Sequence, residues 1–150
     1  MDLAAEPGAP TAVLECGQTV TMALPMRGNV QVRVAELTPT CLTLQTVEGH
    51  PLAGAVRFRL APVPDGVLRF EVDVVHRAAS LVDRIAMAAL GSRLQSATWR
   101  ETVENVVAAS GGTAPNGVEH AHESVHGDDV AAVEEWLARL AEARVRAENP

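Results

Sequence analysis

The side chains best suited to proton transfer or ligation are five histidines, and their spacing divides them into unlike groups. His76 closes a run in which Leu68, Phe70, Val72 and Val74 alternate with Arg69, Glu71 and Asp73. It continues the apolar phase, so it is expected to face the interior at a strand end. There it could orient a ligand carbonyl or act as a general acid or base. The competing role is a histidine bonded to backbone where the chain turns toward a helix. Gln95 lies on the Trp99 side of a helical stretch and could donate to a ligand or to a neighbouring strand. His50, between Gly49 and Pro51, reads as a turn residue. His120, His122 and His126 form an H-x-H-x3-H cluster flanked by Glu119, Glu123, Asp128 and Asp129. Imidazoles and carboxylates are competent zinc or nickel ligands. This cluster sits in a linker without a strand or helix to preorganise it, so no metal site is assigned.

No nucleophile elbow, H-E-x-x-H, P-loop or dinucleotide fingerprint is present. No catalytic residue and no cofactor is therefore assigned. Cys16 and Cys41 lack C-x-x-C spacing and read as structural thiols. The formal charge of −7, with dispersed arginines, argues against a nucleic-acid partner and against an anionic membrane surface. No apolar run is long enough for a membrane span, and the first ten residues lack the basic and apolar regions of a signal peptide. The expected location is the cytoplasm.

These side chains need elements to position them. Only 3% of residues are aromatic, so a core of Val, Leu and Ala must close tightly or leave a cavity. Residues 1–10 read as a loose leader. Period-two alternation then predicts strands over Thr11–Cys16, Thr19–Leu24, Val30–Leu37, Leu42–Val47, and the pair around Val56–Leu60 and Leu68–Val74. Short turns between them imply an antiparallel meander rather than βαβ units. Beyond His76 the period becomes helical. Ser80 with Asp83 resembles a capping box, and Leu81, Ile85, Ala88, Trp99, Val103 and Val106 recur to about residue 109. Gly91, costing roughly 1 kcal/mol against alanine, marks a kink, a break or a close approach. Ser110–Gly117 opens a linker, and a second helix begins at Asp128, with Val130, Val133, Leu137 and Leu140 as its stripe. The expected fold is α+β: a curved antiparallel sheet of about six strands on one long C-terminal helix, plus a separate C-terminal amphipathic helix. The expected division is 11–109 for the domain, 110–127 for a flexible linker and 128–148 for the amphipathic helix.

The ordered series Thr46, Gly49-His50-Pro51, Gly54 and Phe58, then strand 66–76, Arg77 and a helix bearing Gln95, resembles an uncharacterised family of the START-like (SRPBCC) superfamily. The resemblance spans roughly residues 12–108. It implies a helix-grip fold with an apolar cavity between sheet and helix, shortened here because no helices precede residue 78. Superfamily members are associated with lipids, polyketides and hormones, and some are cyclases or aromatases.

The leading expectation is non-catalytic binding of a small apolar molecule or lipid between sheet and helix. Its walls and polar contacts would come from Phe58, Phe70, His76, Leu81, Ile85, Gln95 and Trp99. One alternative is a protein–protein module in which the C-terminal helix pairs two copies as a homodimer. Another is a cyclase- or dehydratase-like enzyme using His76.

Overall fold

The computed structural model describes residues 2–4, 13–24, 28–47, 52–78 and 92–148. Strands β1 (Asp2–Ala4), β2 (Thr19–Leu24), β3 (Gly28–Thr38), β4 (Cys41–Thr46), β5 (Leu52–Pro62) and β6 (Leu68–Ala78) are followed by helices α1 (Ser92–Ser110) and α2 (Asp128–Glu148). Among the described residues the architecture is α+β, an open antiparallel sheet with two helices. Strand order follows the chain, so β2 to β6 form a five-strand meander, with the three-residue β1 added beside β2.

That edge corrects two expectations. The described part of the strand expected over Thr11–Cys16 is not a strand, and the supposedly loose leader supplies Asp2–Ala4 in its place. The cause lies at Gly17, whose φ of +87° reverses the chain. The Gly17 N–H then donates to the Val34 carbonyl (2.8 Å), and Glu15 N–H is taken by the Gln18 side chain (3.1 Å). Backbone groups committed in this way cannot pair with β2.

Alternation along the meander gives the sheet two distinct faces. On the front face Val32 pairs with Thr46, Val34 with Leu44, Leu44 with Val56, and Val56 with Val74. Val20, Val30, Val32, Val34, Leu44 and Val56 form the buried cluster there, with Leu42, Phe58, Val72, Val74 and Trp99 packed against it. A bulge between Val34 and Glu36 shifts the register by one residue and turns Glu36 to the back face.

α1 lies on the front face over β6. Its partly buried residues Trp99, Thr102, Val103, Val106 and Val107 recur at helical spacing, while Arg100, Glu101 and Glu104 are exposed. The helix stops in a Schellman motif: Gly111 N–H donates to Ala108 O (3.3 Å) and Gly112 N–H to Val107 O (3.0 Å). Gly111 takes φ +68°, which glycine adopts without a Cβ penalty. The portion of the long helix expected from residue 80, with its capping box and Gly91, lies outside the described residues.

α2 opens with Asp128 and Asp129 at its positive end. Val133, Trp136, Leu137 and Leu140 are its partly buried stripe, whereas Val130, expected in that stripe, is exposed; Glu135 and Arg139 pair at 2.6 Å. Unlike α1, it packs on the back face. Gln45 Nε2 donates to Leu137 O (3.2 Å), and the Arg57 guanidinium sits 4.6 Å from the centre of the Trp136 ring. α2 reaches across to β3. Among the described residues one helix therefore lies on each face, with residues 111–127 passing from one to the other.

The back face under and beside α2 is polar but closed. Thr43 is fully buried and donates to Glu36 Oε2 (2.8 Å); Arg57 Nε donates to the same hydroxyl (3.5 Å). Burial pushes the Cys41 thiol up, aided by Glu36, against a lowering bond to Thr43. Cys16 and Cys41 are both free thiols. Further along, Arg59 bridges Glu71 (2.6 Å) and Asp73 (3.3 Å). Burial alone would raise the Glu71 carboxyl, but Arg69 and Arg59 outweigh it and hold it below the ordinary carboxylate range. No described helix is long and apolar enough to cross a membrane.

Candidate functional site

An edge strand bordered by a helix on either face leaves a trough along its end, and a broad concavity lies at that position on β6. It is an open groove of about 820 Å³. Val72, Val74 and Trp99 form the front wall, and Val75, Val133 and Leu137 the back wall. Residues 119–125 of the linker run across it. Because lining residues of β6 come from both faces, the groove wraps the strand's edge rather than sitting wholly beneath α1.

His76 is placed at the end of this groove by pairing with Gly54. Gly54 is itself held by Thr46, whose Oγ1 accepts the Gly54 N–H (2.9 Å) and donates to the Gly54 carbonyl (3.1 Å). A β carbon on Gly54 would collide with the Val75 carbonyl oxygen and lie 2.7 Å from His76 Cα. The threonine and glycine of the sequence series thus fix the backbone on which His76 stands. Partial burial, reinforced by the nearby His122 imidazole, pushes the His76 pKa below its ordinary 6.5 and favours the neutral ring.

The sign of that shift has a measurable consequence. Between the lowered folded pKa and 6.5, the unfolded chain binds more protons than the folded one. Stability present above 6.5 is therefore lost as pH falls through that window. Glu71 acts in the same direction only below about 4.5. Urea denaturation followed across this range is expected to show a midpoint that falls with pH, and His76→Gln is expected to flatten the slope between 6.5 and 4.5. An unchanged slope in the variant would assign the effect elsewhere.

Trp99 lines the same groove as His76 and packs on the core below it. Its ring meets Phe58 edge-on with centroids 6.1 Å apart, and Phe58 stacks on Phe70 at 6.3 Å. Of the sequence-predicted ligand contacts, the groove brings together His76 and Trp99. Phe58 and Phe70 support Trp99 from behind and do not line it. Gln95 falls in the first turn of α1, its side chain outside the described residues, as are Leu81, Ile85 and His50.

The linker histidines His120 and His122, weighed from their spacing as metal ligands and assigned no site, belong to the groove instead. Glu119, His120, His122 and Glu123 line the groove, and His120 Nε2 lies 3.3 Å from Ser96 Oγ of α1. The H-x-H spacing was the available signal; what it lacked was any indication that the linker folds back over β6. Among the described residues no three His, Cys, Asp or Glu side chains are placed to hold a metal ion.

No curated protein and no solved structure matches this chain. Residues 2–105 do match a family, described as a domain of unknown function (DUF1990), and that segment takes in the whole sheet and most of α1. The linker and α2 lie beyond it. The chain thus belongs to the DUF1990 family, with its groove assembled from the family segment on one side and residues 119–137 on the other.

Proposed function

We propose that this chain is a binding module, without catalysis of its own, that holds a small apolar molecule or lipid tail in the groove between β6, α1 and residues 119–137. The observation that carries this reading is the groove itself: about 820 Å³, with apolar side chains from three elements on its walls. That volume falls in the range of drug-sized ligand sites. The resemblance to the START-like superfamily supports the same reading, since a helix packed on an antiparallel sheet is the arrangement that holds its ligands. Self-association through the C-terminal helix draws less support, because part of the α2 stripe is already seated on its own sheet.

A titration with Nile red tests the proposal. Saturable binding with a blue-shifted emission is expected at about one probe per chain. Ser96→Trp places an indole in the groove from a half-buried position on α1, and is expected to weaken the probe by at least about tenfold with unchanged circular dichroism. Absence of saturable binding, or an unaffected Ser96→Trp variant, would overturn it.

A further inference from the structure

The groove sets apolar side chains beside polar ones, His76, His120 and His122 among them. Its carboxylates, those of Glu119, Glu123 and Glu134, are matched by no Lys or Arg among the described lining residues. The adjoining cleft on α1 adds Arg100 together with two further carboxylates, Glu101 and Glu104. The whole chain carries −7. An anionic head group entering here would meet carboxylates on the linker and on α2, and among the described residues no Lys or Arg lines the groove to pair with it.

We infer that the groove selects cationic amphiphiles: an apolar arm lies along Val74, Trp99 and Leu137, and an ammonium group sits at the carboxylates of Glu119 and Glu123. This inference rests on the binding reading above and narrows it, turning away free fatty acids and anionic lipid heads. Glu119 and Glu123 are exposed, so each contributes modestly and is screened by salt. Two acting together against one mobile charge, attractive for an amine and repulsive for a carboxylate, separate the two ligands by roughly tenfold, or about 1.4 kcal/mol. Trp99 also lines the groove, and an indole ring attracts a cation placed over its face.

The test compares three ligands of equal chain length, decylamine, decan-1-ol and decanoate, as competitors of Nile red below their micellar concentrations. At about pH 8 the amine is protonated and the carboxylate ionised. The amine is expected to displace the probe at roughly tenfold lower concentration than decanoate, with the alcohol between them. Raising the salt from about 0.05 to about 0.5 M shortens the Debye length and should narrow the gap. The double variant Glu119→Gln, Glu123→Gln, both on the exposed linker, is expected to shrink it below about threefold while leaving decan-1-ol unmoved. Decanoate competing as well as the amine, or a double variant that keeps the full gap, would overturn the charge selectivity and leave the binding module standing. If none of the three displaces the probe, the binding module falls, and the selectivity with it.

Discussion

Gly54→Ala is expected to lower the free energy of unfolding by about 3 kcal/mol or more. The added methyl has no space to enter: its position overlaps the Val75 carbonyl oxygen and lies 2.7 Å from His76 Cα and 2.9 Å from the Val75 carbonyl carbon. All three obstacles are backbone of the adjacent strand. A flexible side chain could rotate away, but a strand in an eleven-residue ladder can yield only by breaking pairs. Thr46 prevents the alternative escape, because its hydroxyl holds both backbone groups of Gly54. Urea denaturation followed by far-ultraviolet circular dichroism measures the effect. Thr46→Val provides the comparison, with an expected loss of about 1–2 kcal/mol for two hydrogen bonds without a clash. A Gly54→Ala midpoint equal to that of the native chain would show that the strands do not approach so closely. Since Val75 and His76 both line the groove, a milder distortion should also weaken probe binding.

Trp99→Ala is expected to cost about 3 kcal/mol, the lower end for an indole because the ring is only partly buried. The loss has a specific route. Trp99 is the side chain that ties α1 to Phe58 and, through it, to Phe70. Its removal opens the front wall of the groove and the core below together, so Nile red binding and stability should fall in parallel. Trp99→Phe separates shape from polarity. The indole Nε1 is sealed from solvent and has no hydrogen-bond partner among the described residues. An unsatisfied buried donor is itself costly. Phenylalanine removes that donor while keeping an aromatic face, and is expected to retain most of the stability lost in the alanine variant. An alanine variant within about 1 kcal/mol of the native chain would mean that other contacts hold α1.

Much of the sheet was legible in the sequence because its signal is local. Alternation of Val56, Phe58 and Leu60 against Arg57 and Arg59 needs only the two-residue period of a strand, and Pro64-Asp65-Gly66 announces the turn that follows. The stripes of both helices were legible for the same reason. The failure at the N-terminus is equally physical. Thr11–Cys16 alternates plausibly, yet whether it pairs depends on where the next backbone groups go, and the Gly17 N–H and the Gln18 carbonyl go to Val34. That partner is remote in sequence. Asp2–Ala4 lacks any strand signature and pairs because the β2 edge is free to receive it.

The candidate site divides along the same line. His76 and Trp99 could be singled out because each continues an apolar phase, one of a strand and one of a helix. Their meeting in one groove, with His120 and Glu123 across from them, could not. It depends on α1 and α2 taking opposite faces of the sheet. Periodicity states that a helix has a face to bury and does not state against what.

The sequence by itself determined the antiparallel meander, the apolar stripe of each helix, and a histidine at the end of the last strand. Those follow from local periodicity and turn chemistry. Only the tertiary structure decided that the second helix covers the polar back of the sheet through Arg57 and Trp136, and that the linker bends around the edge of β6. The groove exists because of that bend, since an edge strand flanked by helices on both faces leaves space that neither helix alone would enclose.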